Sequence, residues 1–108
     1  MSSLSKLDLG NRIFTIRGCQ VMIDRDLADL YRVEVKRINE QVKRNIERFP
    51  EYFRFQLSEI ETTELVANCD RFRTLKHSYQ NPFAYTEQGV AMLSAVLRSE
   101  IAIQVSIQ

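Results

Sequence analysis

The stretch VKRINEQVKR, Val35–Arg44, sets Lys36, Arg37, Lys43 and Arg44 around Asn39 and Glu40, with Val35, Ile38 and Val42 three and four positions apart. Lysine and arginine bind phosphate oxygens or the guanine edge, and an asparagine amide pairs with the adenine edge. At about 100° per residue, Val35, Ile38, Val42 and Asn45 share one side of a helix, and the charged residues spread over the other. Between Lys36 and Arg48 there are five basic residues against two acidic ones. The whole chain carries fifteen Lys/Arg against fourteen Asp/Glu, a formal net charge of +1, so an anion-binding surface has to come from this local cluster. A charged face is also what any solvated helix presents, and from spacing alone both readings stand. Arg48 is divided in the same way: past the helix end it either folds back onto helix carbonyls or reaches a phosphate.

Other chemistries find less support. The sequence has no Gly-rich phosphate loop, no carboxylate–histidine cluster, and no serine or cysteine with an evident base, so no enzymatic activity is expected. Asp24, Asp26 and Asp29 could suggest a metal-dependent nuclease, but acids in the first turns of a helix are explained by its dipole. Cys69 and the single histidine, His77, supply two metal ligands where zinc takes four. Cys19 and Cys69 read as reduced thiols, and no metal or cofactor is expected. No apolar run approaches the roughly 20 residues that cross a bilayer, and MSSLSKLDLGNR lacks a signal-peptide core. A cytoplasmic chain without membrane or small-molecule partners is the expectation.

The elements that must position the charged face follow from periodicity. At 108 residues and 44% hydrophobic content the chain suits one domain with one core. Residues 1–12 are polar and aperiodic, a flexible terminus, with the domain proper at 13–108. RIFTIRGCQVMID predicts a hairpin turning at Arg17-Gly18. Asp24 is placed as the N-cap of a helix carrying Leu27, Leu30 and Tyr31, which breaks near Arg32-Val33 before the next helix. Asn45 is expected as a left-handed C-cap, with Pro50 forbidding continuation. FRFQL alternates as a strand with Phe53, Phe55 and Leu57 inward. Ser58 and Glu61 have capping-box spacing for a helix to about Ala67. NCDRFRTLKHSYQN predicts a loop or irregular hairpin, and PFAYT a strand at an edge or beginning at Pro82. Thr86 caps a helix with Val90, Leu93 and Leu97 inward, and Ser99 reads as a fresh cap for IAIQVSIQ. That last apolar run ends without a C-cap, as in a piece of a longer protein. The fold class is therefore α+β: an N-terminal β-hairpin, a helix-turn-helix-like pair, short strands and C-terminal helices.

DLADLYRVEVKRINEQVKRN has a helix-turn-helix layout. Leu27, Tyr31, Val33 and Ile38 hold the helices together, and Ala28 is small where they cross. The pieces IRGCQVMIDRDLADLY, VKRNIERFPEYFRFQL and FAYTEQGVAMLSAVLRSE, in this order and spacing, resemble the phage open-reading-frame-six N-terminal domain family. That family is kin to the KilA-N and Bro-N domains of phages and large DNA viruses. The resemblance runs from about Ile13 to Gln108. It implies a compact α+β domain that binds double-stranded DNA, standing at the N-terminus of a phage antirepressor-like or mobile-element regulator. Arg37 and Asn39 are then the expected base readers, with Lys36, Lys43, Arg44 and Arg48 on phosphates. Arg71, Arg73 and Lys76 stand where family members carry a basic loop. Family members often have Gly at position 32 and Thr at 35, where this chain has Arg32 and Val35. A homodimer docking two half-sites is expected. The alternative is a protein-interaction or oligomerisation module built on the apolar C-terminal helices.

Overall fold

The structure, a computed structural model, describes residues 10–77 and 80–107, with the side chains of 76–77 and 99–107 outside the description. Of the segment 1–12 expected to be flexible, residues 1–9 lie outside the described residues. Gly10–Arg12 forms a 3₁₀ turn fixed to the domain, with the Arg12 guanidinium 2.9 Å from the Asp29 carboxylate and donating to the Asp26 carbonyl.

Four strands, β1 (Phe14–Ile16), β2 (Cys19–Ile23), β3 (Arg54–Gln56) and β4 (Phe83–Thr86), make one antiparallel sheet in the order β1-β2-β4-β3. The β1–β2 hairpin turns on Arg17 at φ 55° and Gly18 at φ 74°. Two successive left-handed residues are what a two-residue turn needs to match the twist of its strands. Met22 pairs with Tyr85 across the ladder, and Ile23 with Ala84, which also faces Phe55. Because side chains alternate, these pairs feed opposite faces. Met22 and Tyr85 join one core with Leu27, Ile38, Val42 and Leu93, while Ile23, Ala84 and Phe55 join a second with Leu57, Leu65, Phe72 and Leu75. The chain therefore builds two cores, one on each side of the sheet.

Helices α1 (Asp24–Tyr31), α2 (Val35–Arg44) and α4 (Glu87–Ile107) cover the first face. Helix α3 (Glu59–Asn68) and the 3₁₀ turn Asp70–His77 cover the second. The capping box opens α3 as its spacing predicts: the Glu61 amide donates to Ser58 Oγ, and the Ser58 amide to the Glu61 carboxylate.

Five local expectations are corrected. Asp24 is not an N-cap: Ile23 holds that position, and Asp24 turns inward to accept from the Phe83 amide at 3.1 Å. Asn45 closes α2 at φ −123°, not left-handed, by donating its side-chain amide to the Gln41 carbonyl at 2.8 Å. Residues 70–77 form a 3₁₀ turn rather than a loop, because Phe72 and Leu75, three apart, are both drawn into the second core. Of the two alternatives for Pro82 the edge is overturned, since β4 is an interior strand, and the strand start holds: Pro82 directly precedes Phe83, outside the ladder, where its missing N–H costs nothing. Helix α4 runs unbroken through Ser99, so no new helix starts there.

One glycine is required by packing. A Cβ on Gly89 would lie 1.9 Å from the Phe53 carbonyl oxygen. This close approach lets Thr86 donate its amide to Phe53 and its hydroxyl to the Tyr52 carbonyl, seating the start of α4 on the turn before β3.

Candidate nucleic-acid interface

The α1–α2 corner is closed by backbone geometry. Arg32 takes the left-handed conformation at φ 57°, and the Val33 amide returns to the Ala28 carbonyl at 3.0 Å. That is the usual work of a glycine at a helix end. Ala28 is 6% exposed, and Leu27, Ile38 and Val42 are at most 1%, so the inner side of the pair is fully used in packing.

What remains outside on α2 is polar. Lys36, Glu40, Lys43 and Arg44 are exposed, whereas Arg37 and Asn39 are half-buried. Two residues apart on a helix is about 200° of rotation, so Arg37 and Asn39 stand on opposite shoulders of the exposed crest. Asn39 Oδ1 is buried with no hydrogen-bond partner among the described residues. Arg48, exposed on the 3₁₀ turn Ile46–Arg48, extends the basic surface beyond the end of α2.

The cations of the 70–77 turn divide. Arg71 is committed internally: its guanidinium holds both Asp26 oxygens at 3.0 and 2.8 Å and donates to the Asn11 carbonyl and to Cys69 Sγ. Its guanidinium carbon also lies 4.6 Å from the Phe72 ring centroid. Hydrogen bonding to Asp26 raises the Arg71 pKa further. Arg73 is exposed, 3.4 Å from Asp70. The Lys76 side chain lies outside the described residues. Sequence could not show the commitment of Arg71, since Asp26 is 45 positions upstream.

The acids of α1 also have specific partners. Asp26 holds Arg71, Asp29 holds Arg12, and Asp24, 3% exposed, holds the Phe83 amide. Burial pushes the Asp24 carboxyl above its ordinary pKa, against the amide hydrogen bonds from Phe83 and Arg25. Its second oxygen has no partner among the described residues.

A groove of about 720 Å³ runs beside α2. Lys36, Asn39, Glu40 and Lys43 line one wall, and Leu75 and residues 80–82 line the other. Among the described residues no group of three His, Cys, Asp or Glu could hold a metal ion, and no helix is long and apolar enough to cross a membrane.

A family model described as the ORF6N domain matches residues 11–96, taking in the sheet, the α1–α2 pair and the first half of α4. No curated protein and no solved structure matches the chain significantly.

Proposed function

The chain belongs to the ORF6N domain family, and from that membership and the form of α2 we propose that it is a sequence-specific duplex-DNA-binding domain. It would serve a phage- or mobile-element-derived regulator of antirepressor type. The observation that carries the reading is the division of α2: Ile38 and Val42 are wholly buried, while Lys36, Glu40, Lys43 and Arg44 face out. A helix with its side chains, about 10–12 Å across, fits a major groove about 12 Å wide. Lys36, Lys43, Arg44 and Arg48 hold phosphates, with Arg73 flanking. Arg37 and Asn39, toward the N-terminal end of α2, reach base edges from its two shoulders, Asn39 by turning its amide out of the pose in which Oδ1 is buried. Arg71 belongs to the scaffold. The domain works by binding rather than catalysis.

A salt-dependent gel shift tests the reading. Lys43→Ala should weaken all duplexes alike and reduce the salt slope by about 0.9 if one phosphate contact is lost. Arg37→Ala should cost about 1–3 kcal/mol on a selected site and relax the preference at one base pair. If both variants stay folded by circular dichroism and bind as wild type does, α2 is not the reading element. If wild type binds no duplex even at low salt, the protein-interaction or oligomerisation reading takes its place.

A further inference from the structure

The groove beside α2 has a wall that the helix does not supply, and part of that wall is anchored by hydrogen bonds to its neighbours. The Asn81 carbonyl accepts from Gln56 Nε2 at 3.1 Å, and the Pro82 carbonyl from the Leu57 amide at 2.9 Å. The next amide, of Phe83, donates to Asp24 at the start of α1. Pro82 is buried, and its ring fixes φ. Residues 81–83 are thus tied to β3 on one side and to the helix pair on the other. A side chain on such a segment is held in register with α2, which is what a reading residue requires.

Charge decides what the groove suits. Its lining includes Arg25, Lys36 and Lys43 against Asp24, Glu34 and Glu40, three of each sign. A sugar-phosphate strand carries a negative charge about every 3.4 Å and calls for a positive channel. Base edges are uncharged mosaics of donors and acceptors and call for a mixed wall with amides. Asn39 stands on the helix side and Asn81, half-buried, on the other. Asn81 also borders a separate cavity of about 580 Å³, so it forms the rim between two depressions.

We propose that Asn81 is a third base-reading residue beside Arg37 and Asn39, contacting an adenine in the base pair next to those under α2. The inference rests on the duplex-reading function above and adds a specificity determinant from outside the helix-turn-helix. Asparagine supplies one donor and one acceptor to adenine N7 and N6, whereas aspartate at the same place accepts from cytosine N4.

The test is binding selection on a random duplex library with the wild-type chain, Asn81→Ala and Asn81→Asp, each checked by circular dichroism. Wild type should enrich a site containing an adenine whose preference Asn81→Ala relaxes by about 5- to 150-fold, the range of one bidentate pair. Asn81→Asp should move that single preference from adenine to cytosine, and it decides the matter if the alanine variant does not fold. Unchanged preferences in a folded variant overturn the role of Asn81 while leaving the duplex-reading function intact. Uniform weakening on all sequences also overturns it, since that marks a phosphate contact. A wild-type chain that enriches nothing overturns both.

Discussion

Asp24 and Glu61 are carboxylates in the first turns of helices, and their surroundings move them in opposite directions. Burial raises the Asp24 pKa, so its ionised form weakens the folded state. Its contribution is fully present below the unfolded value and is lost as pH rises through the higher folded one. Asp24→Asn keeps an acceptor for the Phe83 amide and removes the buried charge, so its melting temperature at neutral pH should exceed that of wild type. Asp24→Ala leaves that amide unpaired and should lose about 1–3 kcal/mol. Equal melting points for the two variants would show that the hydrogen bond contributes nothing. Glu61 is lowered to about 2, first by its hydrogen bond from Arg17 and then by the Ser58 amide. Its stabilisation is present above pH 4.5 and lost as pH falls toward about 2, so Glu61→Gln should flatten the acid limb of a stability–pH profile. The Arg17 that depresses Glu61 also lies 4.3 Å from the Phe55 ring centroid, and Arg54 lies 3.5 Å from that of Phe83. Sequence shows such arginines and aromatics but not their pairing, because each partner arrives from a distant strand. For that reason the exposed cations of α2 were legible beforehand, whereas the retention of Arg71 by Asp26 was not.

At the scale of elements, what could be read in advance had a local cause. The hairpin follows from Arg17-Gly18, the start of α3 from the Ser58/Glu61 capping box, and the inner stripe of α2 from Ile38 and Val42. What could not be read depended on the other side of the sheet. The run after α3 lacks helical periodicity, yet Cys69, Phe72 and Leu75 recur every three residues and pack on the second core, the period of a 3₁₀ turn. Two substitutions test the joints between elements. Arg32 is exposed and left-handed, a conformation that costs a non-glycine residue roughly 1–2 kcal/mol, against roughly 0.5–1 kcal/mol of extra chain entropy lost by glycine. Arg32→Gly should therefore gain up to about 1.5 kcal/mol in urea unfolding with its slope unchanged; a loss would mean that the Arg32 side chain makes a contact of its own. Gly89→Ala has no such freedom, because its Cβ meets the backbone oxygen of Phe53. It should lose about 3 kcal/mol or more through separation of α4 from the turn before β3, and a wild-type melting curve would contradict that packing.

At the scale of the whole molecule, α1 is clasped at three points: Asp24 by the Phe83 amide, Asp26 by Arg71 and Asp29 by Arg12. With Ile38 and Val42 sunk in the first core, α2 is carried as part of a rigid body rather than as a mobile arm. Rigid readers gain affinity when two of them dock on one face of a duplex, where successive major grooves recur about every 34 Å. The principal-axis extents of the domain are 45 × 33 × 24 Å, so its middle dimension matches that repeat. Two copies docked with that middle axis along the duplex would come within contact distance in neighbouring grooves. The expectation is cooperative binding to paired half-sites about 10–11 base pairs apart, centre to centre. Adding about 5 base pairs turns the second site to the opposite face and should abolish the cooperativity, while each half-site keeps its own affinity. A gel-shift series in which only the spacing varies reads this directly, from the ratio of doubly to singly bound duplex. If that ratio is the same at every spacing, the domain binds as independent monomers.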